Sequence, residues 1–194
     1  MSKKLTTLFL TGVLAISLAA CSQTPVPATP PAQSQPAPAA PTDANDTNQT
    51  TVYMIKMEDD GKTKGSIKVG CGDSAIPVAT TVGYQYNKTD PVASINAALI
   101  ALQSTTANQY TAQGLENTAA NSIWNIQKVE KPGVVKDPYL VYMNGAFTFG
   151  GTCDMPRVRA QIEETIKKAA LGNKTAIVWN GDSANWTKLL ALSN

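Results

Sequence analysis

Apolar residues recur at four- and three-residue steps most clearly through Val158, Ile162, Ile166 and Ala169. This spacing predicts a helix with one buried stripe. Asp154 stands where a side chain caps the first turn, Pro156 lies just inside, and Gly172 marks the stop. Glu163–Lys167 and Glu164–Lys168 are read as four-apart pairs on the wet face. Ahead of this helix, Tyr139–Met143 and Ala146–Phe149 are rich in strand formers. Phe147 and Phe149 share a face under the two-residue period. Asn144-Gly145 is either a hairpin turn or a bulge in one long strand. Gly150-Gly151 frees the chain to reverse.

A second helical stripe comprises Val92, Ile95, Ala98, Leu99 and Leu102, with Thr89 or Asp90 as cap, Pro91 in the first turn and an end near Ser104. Extended runs cover Val52–Met57, Ile67–Gly70, Ala75–Val82 and Thr175–Trp179. Pro77 places its run at an edge or bulge. Ser122–Val129 has apolar residues on both faces, which places it centrally with a helix on one side. Tyr110 and Leu115 dock the segment between the first helix and this strand, and Gly114 turns it. Lys131–Pro138 is a connection, Asn180-Gly181-Asp182 a turn, and Trp186, Leu189, Leu190 and Leu192 a short terminal segment. The order is strands, helix, strands, helix, strand. It predicts an α/β fold, a small two-layer α/β sandwich with a mixed sheet, over residues 51–194. The Gly70–Gly72 and Gly150-Gly151 runs do not match a dinucleotide or phosphate loop.

The N-terminal part has a different pattern. Residues 1–20 carry Lys3 and Lys4, then an uncharged apolar run, then small residues, the anatomy of an export signal. Leu18-Ala19-Ala20-Cys21 is similar to the lipobox of bacterial lipoproteins. That resemblance implies cleavage before Cys21 and acylation of it, which anchors the mature chain to a membrane. Ser22 after the cysteine favours the outer membrane in a double-membraned cell, and the cell membrane otherwise. Residues 21–50 then form a linker rich in Pro, Ala and Thr, without aromatics and so without a core. Removing Lys3 and Lys4 leaves 14 basic and 14 acidic side chains, a balance that gives nucleic-acid binding no support.

Within residues 51–194, Gly70-Cys71-Gly72-Asp73-Ser74 is followed by Ile76-Pro77-Val78, the Thr89–Leu102 helix and Gly114-Leu115. Gly145–Phe149 comes next, then Gly150-Gly151-Thr152-Cys153-Asp154-Met155-Pro156-Arg157, Gln161, Thr165 and Trp179-Asn180-Gly181. In this order and spacing the segment resembles the GerMN family, the sporulation and spore-germination domain. The resemblance implies an envelope lipoprotein whose small α/β module has no assigned catalytic site. It does not by itself imply a role in spores, and Lys131–Pro138 is an insertion of this chain's own.

With Cys21 taken by lipid, Cys71 and Cys153 remain, and in an oxidising compartment they are expected to pair. The rival reading is a reactive Cys153 ahead of a helix, or a site built from Cys71, Asp73, Cys153 and Asp154. The chain has no histidine, which excludes cysteine–histidine nucleophiles and histidine-bearing zinc sites. Asp73, Glu116, Asp137 and Asp154 are the candidates for a hydrolytic carboxylate pair, each beside turn signals. No cofactor or metal is expected, and the chain is read as non-catalytic. The leading expectation is a binding or scaffold domain for an envelope protein or peptidoglycan. Arg157, Arg159, Trp179 and Trp186, with Tyr142, are the candidate interaction surface; the plainer reading of each is a solvated or salt-bridged arginine or an aromatic of the core or its rim. The alternative is a peptidoglycan- or carbohydrate-binding module, or an accessory to an envelope hydrolase.

Overall fold

The computed structural model describes residues 48–106, 109–131 and 133–191. Seven strands and three α-helices are described: β1 (Gln49–Lys56), β2 (Ile67–Lys68), β3 (Ser74–Thr81), α1 (Pro91–Ser104), β4 (Leu115–Glu116), β5 (Ile123–Glu130), β6 (Tyr139–Ala146), α2 (Asp154–Ala169), β7 (Thr175–Trp179) and α3 (Ser183–Ala191). The α/β reading holds, and the strands divide between two sheets. The first has the order β2-β3-β1-β4 and is antiparallel throughout. The second, β5-β6-β7, is mixed: β5 is antiparallel to β6, and β7 is parallel to it. The parallel pairing follows from the α2 crossover between β6 and β7.

One cluster of buried side chains joins both sheets to the helices. It includes Val52 and Met54 of β1, Ile95, Leu99 and Leu102 of α1, Val158, Ile162 and Ile166 of α2, and Val141 and Met143 of β6. Tyr53 and Ile55 point the other way into a smaller cluster with Ala75. β1 is therefore buried on both faces, which is why its sequence runs apolar without alternation. Gln49 and Thr50, which composition places in the linker, are the first residues of β1, paired with Thr81 and Thr80.

The edge of β1 is completed by a helix. β4 pairs only with Ile55 and Lys56, so Tyr53 lies beyond its reach. Thr165 Oγ1 accepts from the Tyr53 N–H at 3.0 Å. Gln161 Nε2 donates to the Tyr53 carbonyl at 3.0 Å. These two α2 side chains, one turn apart, do the work of a neighbouring strand. Across β1, Tyr53 stands opposite Pro77, where a ladder donor is not required. Gln161 also donates to Asn117 Oδ1 at 3.1 Å and accepts from the Ala119 N–H at 2.9 Å. Asn117 Nδ2 in turn donates to the carbonyls of Leu102 and Thr105, the frayed end of α1. Gln161, Thr165 and Asn117 are all fully buried, so this network is a polar joint between β1, α1 and α2.

Several local expectations are confirmed and several corrected. Asp90 caps α1, its Oδ1 accepting from the Val92 N–H at 3.0 Å. Leu115 is buried, and Gly114 adopts φ 68° to deliver it. β5 is an edge strand, not a central one. Trp124 alone is buried along it, and a register shift lies between Ile126 and Lys128. Asp154 does not cap the first turn of α2. It is the first helical residue, and its carboxylate turns back to accept from the Gly150 N–H at 2.7 Å. The exposed pairs are Arg159–Glu163 and Glu164–Lys167 rather than the ones expected. The terminal segment is helical as α3, and Leu192 lies outside the described residues.

Asn144-Gly145 is not a hairpin turn: β6 runs through it unbroken. Gly145 holds φ 138° opposite Trp124. A Cβ there would sit 2.2 Å from the Ile123 carbonyl oxygen and 2.6 Å from Trp124 Cα. Both are backbone atoms, so the two strands must separate to admit it. Gly145→Ala is expected to cost about 2–4 kcal/mol, from steric conflict and an unfavourable φ together. Chemical denaturation of the variant measures this, and a loss below about 1 kcal/mol rejects the account.

Candidate functional site

The two sequence blocks richest in glycine, cysteine and aspartate meet at one pole. Their Sγ atoms, on Cys71 and Cys153, are at bonding distance, 2.01 Å, with Cα atoms 5.8 Å apart and a separation of 82 positions along the chain. Cys71 sits in a tight turn, Gly70–Gly72, at φ 66°. A Cβ on Gly70 would lie 3.2 Å from the Pro156 ring, so the turn rests on the start of α2.

Asp73 follows that turn and is buried to 1% exposure. Its Oδ2 accepts from Arg157 Nε at 2.7 Å and its Oδ1 from the Glu58 N–H at 3.0 Å. Arg157 also reaches Asp154 at 3.2 Å. Its guanidinium is thus held in ion pairs within the fold, the plainer of the two readings of this arginine. The Asp73 carboxylate is the deeply buried charge, and Arg157 is the partner it needs. The 58–62 turn is tied to the same pole. The Asp60 N–H donates to the Gly72 carbonyl at 2.7 Å, and the Gly61 N–H to Ser74 Oγ at 2.7 Å. Asp59 closes the turn by accepting from the Thr63 hydroxyl and N–H. Those bonds hold its carboxyl well below the usual carboxylate range, with Ser74 and Lys56 adding to the effect. A lowered value means the tie is present at neutral pH and is lost only as pH falls through it. Among the described residues no group of three or more metal-ligating side chains gathers, here or elsewhere.

The aromatics form a second assembly, packed beside α2 where β6 and β7 end. Phe147 stacks on Trp179 with centroids 4.6 Å apart, and Trp186 packs against both. Phe149 extends the stack from Phe147. Trp179 and Trp186 are 3% and 6% exposed, so they are core and not surface. Their large faces are satisfied by one another and by Phe147, in keeping with the core reading of these two residues. Trp186 Nε1 donates to Glu163 at 2.9 Å, and Arg159 Nε donates to the same carboxylate at 3.0–3.1 Å. Arg159 is half exposed and remains on the surface. Tyr142 lies on the outer face of the second sheet, with the Lys128 ammonium 4.4 Å above its ring.

Between α2, α3 and β7 lies a groove of about 590 Å³. Glu163, Glu164, Ile166 and Lys167 form one wall, Ser183, Ala184, Trp186 and Thr187 the other, and Thr175–Ile177 the floor. The sequence gives no direct signal for it, since it depends on how α3 turns back after Asp182.

Cys21 and the residues of the signal and of most of the linker lie outside the described residues. No described helix is long and apolar enough to cross a membrane. No protein-family model, curated protein or solved structure matches this chain. Sequence reading passed over Asn117, whose buried amide organises the end of α1, and gave Glu163 a different partner from the Arg159 and Trp186 it joins. A lone polar residue in a loop carries no periodic signal, so only the fold identifies Asn117.

Proposed function

We propose that the chain is an extracytoplasmic lipoprotein, anchored through acylated Cys21, whose GerMN-like domain is a non-catalytic binding or scaffold module of the bacterial cell envelope. The observation that carries this reading is the Cys71–Cys153 pair. A cross-link of this kind belongs to an oxidising compartment, and the signal, lipobox-like motif and proline-rich linker ahead of the domain lead to that compartment. The blocks that carry the GerMN resemblance also meet in space: Cys71 with Cys153, Gly70 with Pro156, Asp73 with Arg157. Asp73 and Asp154, two of the candidate carboxylates, are held in an ion-pair cluster with Arg157, a structural employment. The buried stack of Trp179 and Trp186 gives carbohydrate stacking no support from those two residues.

The test is fractionation of cells expressing the full chain and its Cys21→Ala variant, with mass spectrometry of the N-terminal peptide. The unaltered chain is expected in membranes with an acylated Cys21, and the variant is expected to lose both properties. In-cell cross-linking should then capture envelope proteins reproducibly. An unacylated chain in the cytosol with free Cys71 and Cys153 thiols overturns the anchoring. Substrate turnover by the purified chain overturns the non-catalytic role.

A further inference from the structure

The floor of the groove is an open sheet edge. In a parallel pair, alternate residues of a strand direct both backbone groups to the neighbour and the others direct them away. The Lys174 carbonyl accepts from the Tyr139 N–H, and the Asn180 N–H donates to the Met143 carbonyl, each at 2.9 Å. The even-numbered positions of β7 therefore face β6. Thr175, Ile177 and Trp179 face outward. Trp179 is satisfied by Asp182, through bonds of 3.2 and 3.1 Å in the turn before α3. Thr175 and Ile177 are left with four backbone groups directed into the groove, and β7 has no strand on that side among the described residues.

The two edges of this sheet are treated differently. β5, at the other edge, is protected by its register shift and by Lys128 and Lys131, the usual defences against strand addition. β7 has no bulge, proline or charged side chain along Thr175–Trp179. α2 and α3 instead form the two walls beside it.

From this we infer that the groove takes an extended peptide segment of a partner protein, added to β7 as a fourth strand of the mixed sheet. Alternating donors and acceptors at strand spacing are matched by a peptide backbone. The carboxylates of the α2 wall are already paired, Glu163 with Arg159 and Glu164 with Lys167, so the segment is recognised through its backbone and not through its charge. This gives the binding role proposed above its contact site, and it rests on that role. Membrane anchoring is read by a separate experiment, so failure of one does not imitate failure of the other.

The experiment is residue-resolved amide exchange by NMR on the full chain in detergent, with and without acetyl-Val-Thr-Lys-Val-Thr-amide at about 10 mM, because main-chain bonds carry most of such affinity. Without peptide, Thr175 and Ile177 are expected to exchange about tenfold faster than Ala176 and Val178. The peptide is expected to slow those two amides about fivefold. Its fully N-methylated counterpart is expected to have no effect, and replacing its lysine with glutamate to leave binding unchanged. Ala184→Trp, which fills the groove from the exposed side of α3 and leaves β7 intact, is expected to weaken binding about tenfold. No protection by the peptide, equal protection by the methylated form, or unchanged binding to Ala184→Trp overturns the proposal. Protection that rises with protein concentration alone assigns the edge to a second copy and overturns it equally.

Discussion

Gln161→Leu is expected to destabilise the domain by about 3–5 kcal/mol, although the new side chain is similar in size and apolar. Gln161 makes three hydrogen bonds in the core, to the Tyr53 carbonyl, Asn117 Oδ1 and the Ala119 N–H. Leucine satisfies none of them. Asn117 Oδ1 keeps the Ala120 N–H, but the Tyr53 carbonyl and the Ala119 N–H are left without a partner in buried surroundings. Each buried polar group without a partner costs about 1–3 kcal/mol. Part of that is offset by the apolar gain of leucine, and the sum remains large. Thr165→Val removes only the acceptor for the Tyr53 N–H and should cost about 1–3 kcal/mol. Urea denaturation should show a lower midpoint at unchanged slope for both. If Gln161→Leu loses less than about 1 kcal/mol, the network is a consequence of packing and not a support for it.

Removing the cross-link by Cys71→Ala with Cys153→Ala is expected to lower stability by about 4 kcal/mol. The bond closes a loop of 82 positions, and the chain-entropy cost of closing one that long sets the figure. The native geometry allows a second, sharper test. Cys71 holds φ 66°, a left-handed conformation that alanine resists and glycine accepts. Cys71→Gly with Cys153→Ala should therefore recover about 1 kcal/mol of the loss. Denaturation of the three proteins side by side reads both effects, and thiol titration under denaturing conditions must find no free Cys71 or Cys153 in the parent. Equal stability of parent and double-alanine protein would remove the cross-link from any account of this fold.

The elements with strong periodicity or clear punctuation were legible before the structure. α1 and α2 carry long apolar stripes bounded by proline, aspartate and glycine, and each forms where that pattern places it. β7 is a short apolar run between a glycine turn and Asn180-Gly181, and it too is where expected. What sequence could not give is the assignment of strands to sheets. A two-residue strand such as β4 has no pattern of its own, and it exists because Ile55 and Lys56 need a partner. Nor does a sequence distinguish a buried aromatic from an exposed one. Trp179 and Trp186 become core residues only when β7 and α3 fold Phe147 between them. Arg157 shows the same limit: its value lies in Asp73, 84 positions earlier. The groove beside β7 belongs wholly to this class of information, since local residues supply its walls and only topology leaves its floor unpaired.

The reliance of β1 on α2 has a consequence for how the chain must be delivered. Tyr53 is near the beginning of the folded region, and the side chains that complete its edge come 108 and 112 positions later. A ribosome or an export channel releases Tyr53 well before it releases those partners, so the first strand waits with raw polar groups on show. Contacts this distant along a chain form late and slowly. Nascent or truncated chains ending before α2 should consequently be the species that aggregate and that chaperones retain, while the finished polypeptide closes the gap by itself.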